Sequence, residues 1–444
     1  MPPSIQRHPA RPIILTLSLL AGGCQAFYVI PRSDELLAHR IEQSRTRVAP
    51  RRRQAASMGL ADKAARFEIR TRAMSLEGTA VPAAYRRKHA PLIGDLETAC
   101  HLLAALSFRY GTTRDAVTRR WAWDLIASLE HMDACNGLDG YLPKRVRLRD
   151  GALAPEPYET HSNAYAQLLF AYVSAWAIFD DDDDMRGAVR DHVRRIAAHF
   201  LDHDLALTGP DGAAIPYSDL RPSRSRMSRS RILDALVLAE SVRFILPEHD
   251  PAHQHMSEHL ERMVACGYLR KIQSLRFEML SFTVPTDSTD WLNFLRLHTL
   301  CATSGRSAYV RALDRLYRSQ QSERNALFIV IHRAASTGDE RSAPRAAEML
   351  ATFPLDLDNR EIINSRDRDV ARRWFPRWVK NGWRAEARAP LPIYRRPSAK
   401  HEWKHNPFRI DGNFGAKHEH TYPGIDFLLA YWMGRYHGLI DADD

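Results

Sequence analysis

The sequence predicts an all-α fold. Apolar residues recur at helical spacing in one segment after another, whereas alternating strand-like runs are scarce. With 444 residues, 45% of them hydrophobic, the chain is long enough to bury a large core in a single domain. About a dozen helices joined by a few long loops fit an (α/α)6 toroid or an incomplete α/α barrel. An irregular helical solenoid is the alternative architecture.

One segment indicates that some of these helices are central. Between 164 and 179, apolar residues form two adjacent stripes, one through Ala164 and Leu168 and the other through Tyr165 and Trp176. A helix that is apolar over so much of its surface is buried. Similar helices are predicted near 95–109, 115–132, 184–203, 228–246, 252–268, 289–303, 307–319, 323–334, 341–351 and 424–438. The longer loops are predicted near 133–160, 205–225, 281–290 and 353–422.

The first residues predict export. A basic start is followed by an apolar run, Ile13 to Ala21, which is too short to span a membrane and is typical of a signal peptide. The sequence Ala21-Gly22-Gly23-Cys24 resembles a bacterial lipobox, which implies lipidation of Cys24 and a membrane anchor. Ordinary cleavage after Ala26 is the alternative. We therefore predict a periplasmic or outer-membrane protein of the bacterial cell envelope.

The domain organisation follows from these signals. Residues 1–24 are predicted to be the signal peptide, 25–53 a basic tether, and 54–444 a single toroid domain. The cysteines outside the signal are far apart and form no Cys-x-x-Cys pair, so neither a disulfide scaffold nor a zinc ribbon is expected. They are compatible with one or two disulfides or with free thiols: Cys100, Cys135, Cys266 and Cys301.

The formal net charge of +10 comes mostly from arginine clusters at 45–53, 221–231 and 366–377. Such a surface could attract nucleic acid, anionic lipid or an acidic polysaccharide. No nucleic-acid-binding signature accompanies the clusters, so we predict no nucleic-acid partner. The predicted partners are a poly- or oligosaccharide, acidic if the arginines contact it, and the membrane. No cofactor is predicted.

The first candidate site lies in Asn406–Gly415. Gly412 and Gly415 would let the backbone turn at positive φ or approach a ligand closely, and two phenylalanines could exclude water around Asp411. We predict a loop in which Asp411 does acid/base work. The alternative is an ordinary Asp-Gly turn.

The second candidate site is the segment 156–165, where a loop enters a buried helix. Aromatic, acid, amide and imidazole groups concentrate there, as sugar sites require. Glu159 is the predicted acid, with His161 and Asn163 orienting substrate or water. The alternative is that these residues only cap the helix. The full set of predicted substrate-binding residues is Asp139, Tyr141, Tyr158, Asn163, Trp291, Arg409, Asn413 and Tyr422.

A third pattern competes with these two. His401-Glu402-Trp403-Lys404-His405 matches His-Glu-x-x-His, which on a helix places two imidazoles to bind zinc. Pro397 and Pro407 leave barely two turns for that helix. We therefore predict no metal site and keep His401 and His405 only as weak candidates, the alternative being a polar loop.

The string Ile410-Asp411-Gly412-Asn413-Phe414-Gly415 resembles a segment of family 95 glycoside hydrolases, which are α-L-fucosidases. The resemblance covers about six residues. It implies an (α/α)6 catalytic domain and places Asp411 in the catalytic centre.

The leading functional prediction is a glycoside hydrolase that uses Glu159 as acid and Asp411 as base. If it inverts, the two carboxylates should lie about 6.5–9.5 Å apart. A polysaccharide lyase is the first alternative, with Tyr158, His161 or Tyr422 as base and Arg409 or Asn163 as partner of a uronate. A non-catalytic glycan-binding or scaffolding lipoprotein is the second, and a metallopeptidase the third.

Overall fold

The structure, a computed structural model, describes residues 34–87, 90–158, 160–223, 228–273, 287–336, 343–365, 367–372, 377–379, 382–384 and 386–442. The helices of these residues are α1 (Asp34–Ala56), α2 (Leu60–Ala73), α3 (Leu96–Thr113), α4 (Ala116–Ala134), α5 (Ser162–Ile178), α6 (Asp183–Asp202), α7 (Arg229–Ile245), α8 (Pro251–Ala265), α9 (Tyr268–Gln273), α10 (Asp287–Thr303), α11 (Ser307–Gln320), α12 (Ala326–Ala335), α13 (Ala343–Ala351) and α14 (Ile425–Tyr436). Within this part of the chain, no helix combines the length and apolar character needed to cross a membrane.

Six of these helices form a closed inner ring. Around the ring, α3 packs against α5, α5 against α7, α7 against α10, α10 against α12, α12 against α14, and α14 against α3. The helices between them in sequence, namely α2, α4, α6, α8, α11 and α13, pack outside the ring against their inner neighbours. The all-α prediction and its (α/α)6 toroid are confirmed. Because α14 closes on α3, the ring is complete and is not an open solenoid.

The hydrophobic pattern explains which helices lie inside. Every residue of α5 except Asn163 and Ala177 is buried, as the two apolar stripes predict for a helix with neighbours on all sides. The outer helix α6 buries one face, which includes Val189, Val193 and Ile196, and leaves the other face to solvent. The predicted positions of the helices agree with the structure within a few residues.

The toroid has one mouth where long connections gather. Because inner and outer helices alternate along the chain, all inner helices run in the same direction and begin at the same end of the ring. The connections that precede inner helices are long, for example 135–161 and 352–424, except for 321–325 before α12, whereas those that follow inner helices are short, for example 179–182. Functional groups on the long connections are therefore brought to the N-terminal ends of the inner helices.

Small antiparallel sheets occupy these long connections. One sheet orders its strands β1-β10-β7, a second β2-β3-β4, and two hairpins pair β5 with β6 and β8 with β9. The strands are β1 (Arg86–Arg87), β2 (Gly94–Asp95), β3 (Arg145–Arg149), β4 (Ala152–Pro155), β5 (Ala206–Thr208), β6 (Ala214–Asp219), β7 (Asp358–Ile363), β8 (Arg377–Val379), β9 (Gly382–Arg384) and β10 (Asp411–Thr421). The long loop predicted near 353–422 thus contains β7 to β10, two of which, β7 and β10, pair across a long separation in sequence.

Helix α1 differs from the predicted basic tether. Residues 34–53 belong to this helix, which continues through Pro50 and packs against β7. Arg51 is buried and donates from Nη1 to the carbonyl of Arg396, and the buried Ser44 hydroxyl accepts from the Ile363 amide. The helix is thus part of the folded body, and residues 25–33 lie outside the described residues. Cys100, Cys135, Cys266 and Cys301 are free thiols.

Candidate active site at the toroid mouth

A cluster of buried polar side chains lies at the mouth, and three parts of the chain supply it. Glu97 and His101 come from the first two turns of α3, and Asp426 from the first turn of α14. Lys400 and His401 come from the segment 396–405, which precedes α14 in sequence. We call Glu97, His101, Lys400, His401 and Asp426 the mouth cluster. Trp291 of α10 packs against its two imidazoles.

The segment 396–405 is held against the inner helices by buried hydrogen bonds. The Trp403 indole donates to the carbonyl of Asp426 at 2.8 Å. The side-chain amide of Asn325, the residue that caps α12, donates from Nδ2 to the carbonyl of Trp403 at 2.9 Å. Glu402 Oε1 accepts from the Ala399 amide at 3.0 Å. The two residues that enter the cluster are thus positioned by fixed contacts to two inner helices.

His401 lies between two carboxylates. Its Nδ1 is 3.3 Å from Oδ1 of Asp426, and its Nε2 is 3.8 Å from Oε2 of Glu97. The ring stacks on Trp291 with centroids 4.9 Å apart and an interplanar angle of 27°. His101 contacts it edge-on at 4.9 Å. Such an arrangement fixes the orientation of the imidazole.

Lys400 fixes the charge of the neighbouring acids. Its Nζ lies 2.6 Å from Oδ1 of Asp95 and 3.0 Å from Oε2 of Glu97. Burial alone would raise the pKa of Glu97, but Lys400, His401 and Lys144 together hold this pKa well below its ordinary value. The two acids in turn raise the pKa of Lys400 against its own burial. Glu97 is therefore a carboxylate at neutral pH and is unsuited to act as a general acid.

Several atoms of the cluster are buried without a hydrogen-bond partner among the described residues. They are both ring nitrogens of His101, Nε2 of His401, Oδ2 of Asp426 and Nε1 of Trp291. Burial, together with the nearby His401, lowers the pKa of His101 to about 3, so its imidazole is neutral at physiological pH. A buried unpaired polar group costs about 1–3 kcal/mol. Such a concentration of them in one place is characteristic of a functional site.

Asp411 is placed differently from its prediction as a loop acid. It is the first residue of strand β10, and its Oδ1 accepts hydrogen bonds from the amides of Asn364 and Ser365, each at 3.0 Å. Gly412 does not take a positive φ, because it continues the strand opposite Ile362. The turn considered at Asp411-Gly412 does not form, and the close approach to a ligand stays a prediction. A Cβ at Gly412 would lie 2.5 Å from Pro397 Cγ.

The second predicted site is described only in part. Glu159 lies outside the described residues, as does Cys24, so the separation of Glu159 from Asp411 stays a prediction. His161 is the N-cap residue of α5 and makes no capping hydrogen bond with its side chain. Asn163, in the first turn of α5, is half-buried. Within the described part of the chain, no hydrogen bond or ion pair joins His161 to Asp411.

The remaining predicted substrate-binding residues are dispersed. Tyr158 is exposed beneath the Arg145 guanidinium, and Asp139 is exposed, whereas Tyr141 is buried against His199. Arg409 donates from Nε to the Asp411 carbonyl at 2.8 Å.

Burial raises the pKa of Tyr422 to about 12, which disfavours the tyrosinate that a lyase base would need. The side chain of Asn413 lies outside the described residues. Of the predicted site residues, Trp291 and His401 are the two that the structure brings together at the mouth cluster.

The His-Glu-x-x-His pattern does not form a zinc-binding helix. Residues Glu402–Lys404 make a single 3-10 turn, as expected between Pro397 and Pro407. His401 faces Asp426 and His101, while burial lowers the pKa of His405 to about 4. Burial also raises the pKa of Glu402 to about 7. His401 is thus grouped with residues far away in sequence and not with His405.

Sequence reasoning missed Glu97, His101, Lys400 and Asp426. The two acids lie in the first turns of helices, where acids are expected because they favour the positive helix end. His101 lies among the apolar residues of α3, and this position predicts a core residue. The available signal was weak, since none of these residues stands in a motif.

Comparisons with known proteins add little to this description. No known protein family matches the chain, and no curated protein matches it. Among solved structures, a sugar epimerase from a ruminal bacterium is similar at 9% identity and a TM-score of 0.44, over 87% of this chain and 98% of that one. The cellobiose 2-epimerase of Spirochaeta thermophila is similar at 10% identity and a TM-score of 0.44, over 91% and 99%. Likeness at this level does not decide the chemistry of the chain, and the resemblance to family 95 glycoside hydrolases stays a prediction.

Proposed function

We propose that this protein is a glycan-active enzyme that works at the toroid mouth by proton transfer through His401. The observation that carries the proposal is the position of His401, with Asp426 at one ring nitrogen, Glu97 near the other, and Trp291 against the ring face. Imidazole is the most frequent general acid–base group in enzymes, and the carboxylate at Nδ1 holds the ring in one orientation.

Proton abstraction from carbon fits this site better than hydrolysis by paired carboxylates. Lys400 keeps Asp95 and Glu97 ionised, so neither of these two acids supplies the protonated carboxyl group that a hydrolase needs. An imidazole base acts on a proton next to a carbonyl or a carboxylate, which is the chemistry of saccharide lyases and epimerases. The lyase prediction from sequence is therefore kept as a reaction class, with His401 in place of Tyr158, His161 or Tyr422 as the base.

Hydrolysis with Glu159 as acid and Asp411 as base is the second candidate. Two backbone amides already bind Asp411 Oδ1, which favours a structural role for this carboxylate. The two candidates are separated by incubating the protein in D₂O with neutral and acidic oligosaccharides. Proton transfer predicts deuterium at a carbon or a new double bond that absorbs ultraviolet light. Hydrolysis predicts new reducing ends without either.

Variants assign the chemistry to residues. We expect His401→Asn to lower kcat by about 10²–10⁴-fold, as for other general acid–base residues, and Asp411→Asn to change it little. New reducing ends that persist in His401→Asn and vanish in Asp411→Asn would overturn the proposal in favour of the hydrolase. A glycan that binds without any reaction would favour the non-catalytic alternative.

We also propose export and lipid anchoring through Cys24, on the basis of the N-terminal sequence alone. Expression in a bacterial host with a labelled fatty acid tests it. Label on the wild-type chain but not on Cys24→Ala, with the wild type in the membrane fraction, is the expected result. An unlabelled wild-type chain would exclude the anchor.

A further inference from the structure

We propose that His101, His401 and Asp426 form a binding site for a divalent transition-metal ion. One ligand atom from each residue lies within 4.8 Å of the others, and all three side chains are buried. Two imidazoles and a carboxylate are a donor set that suits zinc, iron(II), manganese or cobalt. The residues come from α3, the segment 396–405 and α14, so the site exists only in the folded toroid.

The hydrogen bonding of the three side chains supports a ligand at this place. Both ring nitrogens of His101 and Oδ2 of Asp426 have no hydrogen-bond partner among the described residues. His101 and His401 have no more than 3% of their surface exposed, so surface solvation does not offset the loss. Buried polar atoms are normally paired, and a metal ion would satisfy several of these atoms at once.

The neighbours of the site also fit a metal ion. The Nδ1 of His401 lies 3.3 Å from Asp426 Oδ1, a separation at which one tetrahedral ion can bind both atoms. Trp291 packs against both imidazoles, with ring centroids 5.0 Å from His101 and 4.9 Å from His401, and limits their rotation. The positive charge of Lys400 is matched by Asp95 and Glu97, so it does not leave an unpaired cation beside the ion.

The ion would bind the imidazole that the proposed reaction uses. Metal binding does not depend on the proposed function, but the effect of the metal on activity does. A zinc ion on His401 would hold the lone pair that accepts a proton, so we expect zinc to inhibit the enzyme and a chelator to restore it. The site would then couple activity to the supply of metal in the surroundings of the protein.

The test is metal binding by the full chain, purified without a polyhistidine tag and stripped with a chelator. Titration with Zn²⁺ in a calorimeter, and with Co²⁺ followed by visible absorption, should give one ion per chain. His101→Ala and Asp426→Asn should each weaken binding at least about tenfold. The matched control is His298→Phe, which replaces another buried histidine of the inner ring and should leave binding unchanged.

Circular dichroism and thermal unfolding of the metal-free variants show whether they fold. Asp426→Asn keeps the shape of the side chain, so it tests the carboxylate even if His101→Ala unfolds. No binding to the wild type, or equal binding by the wild type and a folded Asp426→Asn, would overturn the proposal. Because no glycan is present, this result is independent of whether the proposed reaction is correct.

Discussion

Lys400 Nζ lies 2.6 Å from Oδ1 of Asp95, an aspartate with no exposed surface. The same aspartate oxygen accepts from the Thr98 amide and caps α3. The Lys400 ammonium group thus connects the segment 396–405, which precedes the last inner helix, α14, with the start of the first inner helix, α3. The contact closes the toroid at its mouth and places His401, the next residue, against Asp426.

The first prediction concerns this ion pair. Lys400→Met should lower the free energy of unfolding by up to about 3–5 kcal/mol, because the buried Asp95 and Glu97 keep only more distant cations, Arg145 at 3.7 Å and Lys144 at 3.8 Å. Denaturant unfolding measures the change. The control is Arg120→Ala, which removes an exposed partner of Asp124 and should cost less than about 1 kcal/mol. Equal effects of the two substitutions would contradict the buried role of Lys400.

The second prediction concerns Gly424, the N-cap residue of α14. It takes a φ of +87°, and a Cβ there would lie 2.3 Å from Cδ1 of the buried Phe67. Gly424→Ala should therefore destabilise the fold by more than about 1 kcal/mol and displace Asp426 two residues later. Gly187→Ala is the matched control in helix α6, where a Cβ would meet nothing within 4 Å.

That control should stabilise the protein by about 0.5–1 kcal/mol, because alanine is the better helix former. The denaturant midpoints of the two variants measure the expected loss of stability in Gly424→Ala and the expected gain in Gly187→Ala. A neutral effect of Gly424→Ala would mean that α14 can shift without cost to the mouth cluster.

The third prediction concerns stability in acid. Burial lowers the pKa of His298 to about 3 and that of His437 to about 4, and the nearby His437 adds to the lowering at His298. In the unfolded chain a histidine has a pKa of about 6.5. Between these values the unfolded state binds protons that the folded state does not. The free energy of unfolding should therefore be highest above pH 6.5 and fall as the pH drops from about 6.5 towards 3.

Urea unfolding from pH 7 to pH 4 measures this dependence. His298→Phe removes one of the two groups and should flatten the fall by up to about 1.4 kcal/mol per pH unit. The exposed His131 provides the control, since His131→Phe should leave the slope unchanged. A slope that does not change in His298→Phe would show that this imidazole is protonated in the folded state.

The fourth prediction concerns Asp411. Asp411→Ala should cost about 1–3 kcal/mol, because the amides of Asn364 and Ser365 lose their acceptor. Asp411→Asn retains a side-chain oxygen for them and should unfold close to the wild type. A fully folded Asp411→Asn that has lost all glycan turnover would instead support the catalytic role predicted from sequence.

The amino-acid sequence by itself determined the helices and their burial. The stripes through Leu168 and Trp176 predict α5 because helical periodicity is a local property, expressed within a few turns of chain. Proline at 397 and 407 likewise predicts that the His401–His405 segment forms no long helix. These features need no knowledge of distant residues.

Only the tertiary structure decided which groups meet at the mouth. Glu97 and Lys400 are 303 positions apart in sequence, and their 3.0 Å contact exists because α14 closes the ring against α3. Asp411 likewise became a strand residue through pairing with β7, which its own Asp-Gly sequence does not reveal. Acids in first helical turns have the same local signature whether they cap a helix or join a site. Which of these two roles such an acid takes depends on the closure of the ring, and that closure is made by contacts between residues far apart in sequence.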